Sequence, residues 1–362
     1  MKNSLFISKI AGIRVYIHWT FPLVILWIIF SNARQGMNTE GIIWAVLFVL
    51  MLFICVTLHE LGHALAAKRY HIQTKDITLL PIGGVARLEK MPEKPGQELI
   101  VALAGPAVNV VIALLLYMFL NLTRLSTDIS VITHINAGNF LISLAIINLW
   151  LALFNLIPAF PMDGGRVLRA LLSFRFSRVL ATQIAARIAQ WLAILFVFAG
   201  FFYNPFLIFI GLFVFLGATV ETEQVQILSA IKDHIVEAIT MKEVPTLNRK
   251  DTIEKAVELL LNSQAKNFLI MDGKKLFGTL GTDEIIKALK EHTKDTAVEV
   301  AANTDPPSIE SDEPLENALL LLQRDKQSML LVKKQGQLYG IIDHENILEY
   351  IMIINASAAK QQ

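Results

Sequence analysis

Six apolar stretches, at residues 15–30, 41–67, 99–122, 140–156, 181–202 and 205–220, dominate the first part of this 362-residue chain. Each approaches or exceeds the run of about 18 apolar residues that a membrane helix needs. Inside lipid every backbone polar group must find its partner within the protein, so a chain written this way is expected to fold as a bundle of spanning helices. Composition agrees: 54% hydrophobic and 17% charged residues, with a mean hydropathy of +0.53, exclude an ordinary cytosolic enzyme. Charge then divides the chain. Residues 1–220 carry 16 Lys+Arg against 8 Asp+Glu, whereas residues 221–362 carry 16 against 23. A basic, oily part is joined near Glu221 to an acidic, soluble tail, and neither holds the basic stripe of a nucleic-acid binder. The single cysteine, Cys55, excludes intrachain disulfides and cysteine-rich metal sites, and its apolar surroundings make it a small core residue.

Loop cations give the orientation. Lys2, Lys9 and Arg14 precede the first stretch; Lys68, Arg69, Lys75, Arg87, Lys90 and Lys94 follow the second; Arg166, Arg169, Arg175 and Arg178 follow the fourth. The opposite loops hold only Arg34 and Arg124, so the positive-inside rule puts both termini in the cytoplasm. The first stretch is no cleaved signal peptide, because it lacks a small-residue cleavage site and opens on Arg14 and His18.

The second stretch ends in His59-Glu60-Leu61-Gly62-His63. Histidines at i and i+4 share one helix face, so both imidazoles can reach one Zn²⁺, while Glu60, one step round the helix, can activate a water for attack. The motif lies deep. His59 is about 13 Å along a helix from Lys68, and ionisable residues at such a depth are costly unless paired or metal-bound. A catalytic zinc site normally has a third protein ligand and an open position. Between residues 129 and 232 the sequence offers one aspartate, Asp163, in Asn155-Leu156-Ile157-Pro158-Ala159-Phe160-Pro161-Met162-Asp163-Gly164-Gly165. It follows the fourth stretch, on the same side as His59. The two prolines break the helix and the glycines allow close backbone approach, so the carboxylate can turn inward.

These residues resemble the site-2 protease family of intramembrane zinc metalloproteases, over about residues 10–215. The motif at His59 and the Asn155 to Gly165 stretch match in order, spacing and membrane placement. The resemblance implies that His59, His63 and Asp163 bind one Zn²⁺ and that Glu60 is the general base. Gly83-Gly84 and the Ala104-Gly105-Pro106-Ala107-Val108-Asn109 stretch are further matches, and no PDZ-sized insertion interrupts the membrane core. Residue chemistry adds a meaning of its own. Residues 76–89, with Ile77, Leu79, Ile82, Val85 and Leu88, suit a short hairpin dipping towards the membrane, whose free edge near Gly83 and Gly84 could receive an extended substrate. Asn155 and Asn109 are amides able to donate to an oxyanion, or to act as helix-packing glue.

The tail repeats itself. Pro245 aligns with Pro307, Ala256 with Ala318, Phe268 with Leu330, Gly278 with Gly340 and Ile285 with Ile347, all at one offset. Each copy reads helix, strand, turn, strand, helix and resembles a CBS motif, a module that commonly pairs to form clefts for adenine nucleotides. Gly281 and Asp343 stand where a hydroxyl residue is usual, and Glu284 and Asn346 where an aspartate is usual, which puts nucleotide binding in doubt. The expected architecture is a polytopic α-helical membrane protein, with six transmembrane helices and a short membrane-associated β-hairpin, plus a C-terminal α/β tandem CBS module. Its parts are a metalloprotease domain at 1–220, a linker at 221–236 and CBS motifs at 237–295 and 296–356.

The resemblance, to the sporulation-type subgroup in particular, implies a multi-pass protein of a prokaryotic cell membrane. Its substrate would be a membrane-tethered protein such as a transcription regulator, and the CBS pair would be regulatory and a possible site of homodimerisation. A CBS-gated channel or transporter would need several intramembrane charges along a path, and the spans offer little beyond the one cluster. A catalytically inactive scaffold has no need of Glu60. The topology is checked by reporter fusions: those after Gly36 or Ser126 should read as external and those after Pro92 or Arg175 as cytoplasmic. A Pro92 fusion found outside would invert this orientation.

Overall fold

The computed structural model describes residues 4–81, 83–88, 91–124, 134–263, 265–325 and 327–358. Lys2, Ile82, Glu89, Lys90 and Ser126, used above, lie outside the described residues. The chain divides into two compact units, Met1–Val225 and Gln226–Gln362.

Helices of the first unit are α1 (Phe21–Arg34), α2 (Thr39–Lys68), α3 (Pro95–Thr123), α4 (Phe140–Asn155), α5 (Asp163–Leu172), α6 (Arg178–Phe202) and α7 (Phe206–Ile231), the last continuing into the second unit. Among the described residues α2, α3, α6 and α7 are long and apolar enough to cross a membrane, and α1 and α4 are shorter apolar helices. The first apolar stretch differs from its expected single helix. Ile13–His18 forms a strand, and the helix starts only at Phe21, with Pro22 in its first turn, where a missing N–H costs nothing. Large side chains such as Trp191, Phe198, Leu115 and Phe209 face outward, as a lipid-facing surface requires. The inner faces are made of small residues. Ala181, Ala185, Ala189 and Ala193 run down one side of α6, the last three packing with Val214 and Ala218 of α7, which lets helix backbones approach where lipid gives no hydrophobic drive.

Strands β1 (Ser4–Ile10), β2 (Ile13–His18), β3 (Thr74–Leu80) and β4 (Gly83–Leu88) form one sheet in that order. β2 and β3 are parallel, and β3 and β4 form an antiparallel hairpin in which Ile77 faces Ala86 and Leu79 faces Gly84. Ile13, Ile77 and Leu79 pack with Phe21, Phe53, Leu61 and Ala64, which fixes the sheet to α1 and to the part of α2 that carries the histidines. β4 is an edge strand.

In the second unit each copy is a three-stranded sheet with helices: β5 (Thr246–Asn248), α8 (Ile253–Asn262), β6 (Asn267–Asp272), β7 (Lys275–Gly281) and α9 (Thr282–Glu291), then β8 (Ser308–Glu310), α10 (Leu315–Asp325), β9 (Met329–Lys334), β10 (Gln337–Asp343) and α11 (His344–Ala358). All five elements of the second copy begin at the repeat offset from those of the first. The copies also exchange backbone reciprocally: Met241 bridges Ile341 of β10, and Asn303 bridges Thr279 of β7. The segment that leads into each copy thus adds a bridge to the edge strand of the other copy's sheet.

Candidate active site and metal centre

His59, Glu60 and His63 lie on the last turns of α2. The i, i+4 spacing stacks the two imidazoles edge to face, with centroids 4.8 Å apart and Nε2 atoms 3.1 Å apart. His63 Nδ1 lies 2.7 Å from the Val101 carbonyl oxygen of α3. A carbonyl only accepts, so Nδ1 carries the proton and Nε2 presents its lone pair, the arrangement of a metal-ligating histidine. His59 Nδ1 is buried with no hydrogen-bond partner among the described residues, where only one of the two rings is oriented in this way. α3 reaches the histidines because of glycine. A Cβ on Gly62 would come 2.8 Å from both the Ala104 carbonyl oxygen and Val108 Cγ2, so the two backbones are in direct contact.

Asp163 opens α5. A Cβ on Gly164 or Gly165 would strike the backbone of Leu156 to Phe160, so the glycine pair lets the first turn of α5 press against the proline-containing loop and aims the carboxylate inward. Its Oδ2 lies 3.2 Å from His59 Nε2 and 3.1 Å from His63 Nε2, and all three residues are buried. Ligands of tetrahedral zinc at 2.0–2.1 Å stand about 3.3 Å apart, close to these separations. The gap between them is open because residue 105 is glycine: a Cβ there would lie 2.7 Å from His59 Nε2 and collide with His63 Nε2. The donor set and the cradle both fit a zinc ion.

Glu60 stays out of the cluster. Its Oε2 accepts a hydrogen bond from the Ala86 N–H of β4 at 3.1 Å, and Gly84 lies against its stem, where a Cβ would come 2.8 Å from Cγ. Gly83 has a φ of +140° and open space around it. Asn155 donates to the Leu151 carbonyl at 3.0 Å, and Asn109 is buried with its oxygen unpartnered among the described residues. Among the described residues no hydrogen bond joins either amide to the cluster.

One group escaped the reading of the sequence. Arg169, counted there among loop cations, is fully buried, because Glu98 of α3 and Glu221 of α7 neutralise it. The sequence signal was an acid near one end of each of two apolar helices, Glu98 alone in α3 and Glu221 with Glu223 in α7.

Fold and site together define a membrane metallopeptidase. The chain belongs to peptidase family M50: that family's profile matches residues 47–128 and 121–200, and the CBS domain profile matches 236–291 and 297–353. It is 34% identical over 355 residues to Zinc metalloprotease MJ0392 of Methanocaldococcus jannaschii, covering 98% of each chain. It is 33% identical over 164 residues to Stage IV sporulation protein FB of Bacillus subtilis, covering 45% of this chain and 49% of that one. Among solved structures, Site-2 Protease from Methanocaldococcus jannaschii is 41% identical, over 60% of this chain and 95% of that one, with a TM-score of 0.45.

Gly105→Ala tests the cradle. Alanine favours the helix, yet the methyl occupies the space between the imidazoles, so zinc affinity in a chelator competition should fall at least about tenfold with helical content unchanged. Wild-type affinity would mean that the metal lies elsewhere.

Proposed function

We propose that the protein is an intramembrane endopeptidase in which His59, His63 and Asp163 hold one zinc ion and Glu60 is the general base. The observation that carries this reading is the convergence of three buried ligand atoms beside a carboxylate that is not one of them. When bound, zinc supplies the Lewis acidity that makes water nucleophilic at neutral pH. Glu60 takes the proton of the attacking water on a carboxylate oxygen and passes it to the leaving amide nitrogen. Asn109 and Asn155 are the amides assigned to the developing oxyanion, each as a donor through its side-chain N–H.

The substrate enters as an extended segment along the free edge of β4, beside Gly83 and Gly84. In support, β4 ends the sheet, and Ala86 directs its N–H away from β3 towards Glu60. An added strand would present its peptide groups next to the base. The hairpin reaches into the membrane boundary, and α1 and α4 complete a set of six spans with both termini in the cytoplasm of a prokaryotic cell. Substrates are accordingly membrane-tethered proteins, with a transcription regulator as the natural cargo. Residues 1–220 form the catalytic domain and 221–236 the connection. Residues 237–295 and 296–356 form a regulatory CBS pair that can also dimerise.

Adenine nucleotides bind that pair weakly or not at all. Glu284 caps its own helix by accepting from the Gly281 N–H, Asn346 accepts from the Asp343 N–H, and the Asp343 carboxylate is taken by Asn267. Each of these polar groups thus already has a partner within the chain, which a nucleotide would have to share.

Two experiments follow. Glu60→Gln should abolish cleavage of a tethered substrate with about one zinc per chain retained, whereas His59→Ala, His63→Ala and Asp163→Ala should lose zinc as well. Normal turnover by Glu60→Gln would refute the mechanism, and full zinc retention by Asp163→Ala would remove it from the ligand set. Truncation after Val225, at the boundary between the units, should leave zinc binding intact and change cleavage rate or substrate choice. Unchanged proteolysis would contradict a regulatory tail, and micromolar ATP or AMP binding by the full chain in calorimetry would contradict the weak-binding claim.

A further inference from the structure

Arg169 is the largest fully buried side chain among the described residues, and the proposed chemistry makes no use of it. It makes no hydrogen bond to His59, His63 or Asp163 among the described residues. Its Nε donates to Glu98 Oε1 at 2.7 Å, and its Nη1 donates to Glu221 Oε1 at 2.5 Å. The guanidinium also lies over the Phe160 ring, 5.1 Å from its centroid, in the loop that leads into α5. Arg178 approaches the second oxygen of Glu98 at 3.8 Å, so two acids meet two cations.

The placement of these groups ties the metal ligands together. Arg169 sits on the helix that Asp163 opens. Glu98 lies one helical turn before Val101, whose carbonyl orients His63. A single side chain thus joins the helix presenting the carboxylate ligand to the helix orienting a histidine, and pins both to α7. Only the planar fork of arginine can serve both carboxylates at once. A buried ion triad is a poor source of net stability compared with apolar packing, but breaking it strands a charge, so it holds its geometry closely.

We infer that Arg169 is a positioning residue for the metal centre: with Glu98 and Glu221 it forms a buried latch that fixes where α5 presents Asp163 relative to His63. The inference rests on the reading of Asp163 as a zinc ligand. Without the latch α5 is free to shift against α3, and the distance between carboxylate and imidazole loosens although no ligand has been touched.

The test measures zinc affinity by chelator competition and the unfolding midpoint of the zinc-free form, on the full chain in detergent. The variants are Arg169→Lys, Glu221→Ala, Arg169→Met, the Arg169→Met/Glu221→Ala double and Asp163→Ala. The latch predicts that Glu221→Ala and Arg169→Lys weaken zinc binding about 10- to 100-fold, as loss of groups that orient ligands does. It also predicts that the double variant loses little more than Arg169→Met alone, because residues acting through one contact are not additive. A purely structural ion triad would lower the zinc-free midpoint and leave zinc affinity within twofold of wild type in Arg169→Lys and Glu221→Ala, which overturns the inference. Should Arg169→Met not fold, those two variants decide the matter alone. Wild-type zinc affinity in Asp163→Ala would instead overturn the underlying ligand assignment.

Discussion

Direct backbone contact between α2 and α3 is the constraint on which the rest of the catalytic unit depends. The histidines of α2 can share a metal with an aspartate far along the chain only if α3 comes close enough to orient His63 through the Val101 carbonyl and to leave a space at Gly105. Gly62 permits that approach. Association of helices in lipid has no hydrophobic drive, so small residues and satisfied polar groups must supply it. The alanine face of α6 against α7 and the glycine contact of α2 with α3 are two uses of this device, one structural and one catalytic.

Polar groups in such a unit are expensive, and their disposition shows how they are spent. The cluster at His59, His63 and Asp163 brings nitrogen lone pairs and a carboxylate into one buried space, where a divalent cation would resolve their mutual repulsion. Arg169 and its two acids resolve a second set of charges without a metal. Glu60 belongs to neither set: its partner is a backbone N–H on an edge strand, the edge along which a substrate strand is proposed to lie.

The clustering of His59, His63 and Asp163 was legible in the sequence because the helical period puts the two histidines on one face and because aspartates are scarce around Asp163. The repeat of the tail was legible because it is ungapped, and every strand of the second copy starts where the offset places it. The four-stranded sheet was hidden. Ile13–His18 is apolar and runs into a helix, so it read as part of a span, and its parallel pairing with Thr74–Leu80 joins segments separated by α1 and α2. Arg169 was hidden for a similar reason. Its partners Glu98 and Glu221 lie on helices distant in sequence, and no local pattern tells a buried arginine from a loop cation that marks the cytoplasmic face.

The most direct measurement of the central claim is X-ray absorption at the zinc edge on the purified full-length protein. The account predicts two imidazole nitrogens with oxygen donors at about 2.0–2.1 Å, no sulfur, and a halved imidazole signal when zinc is forced into His63→Ala at high concentration. A sulfur shell, or an imidazole signal unaltered in His63→Ala, would contradict it.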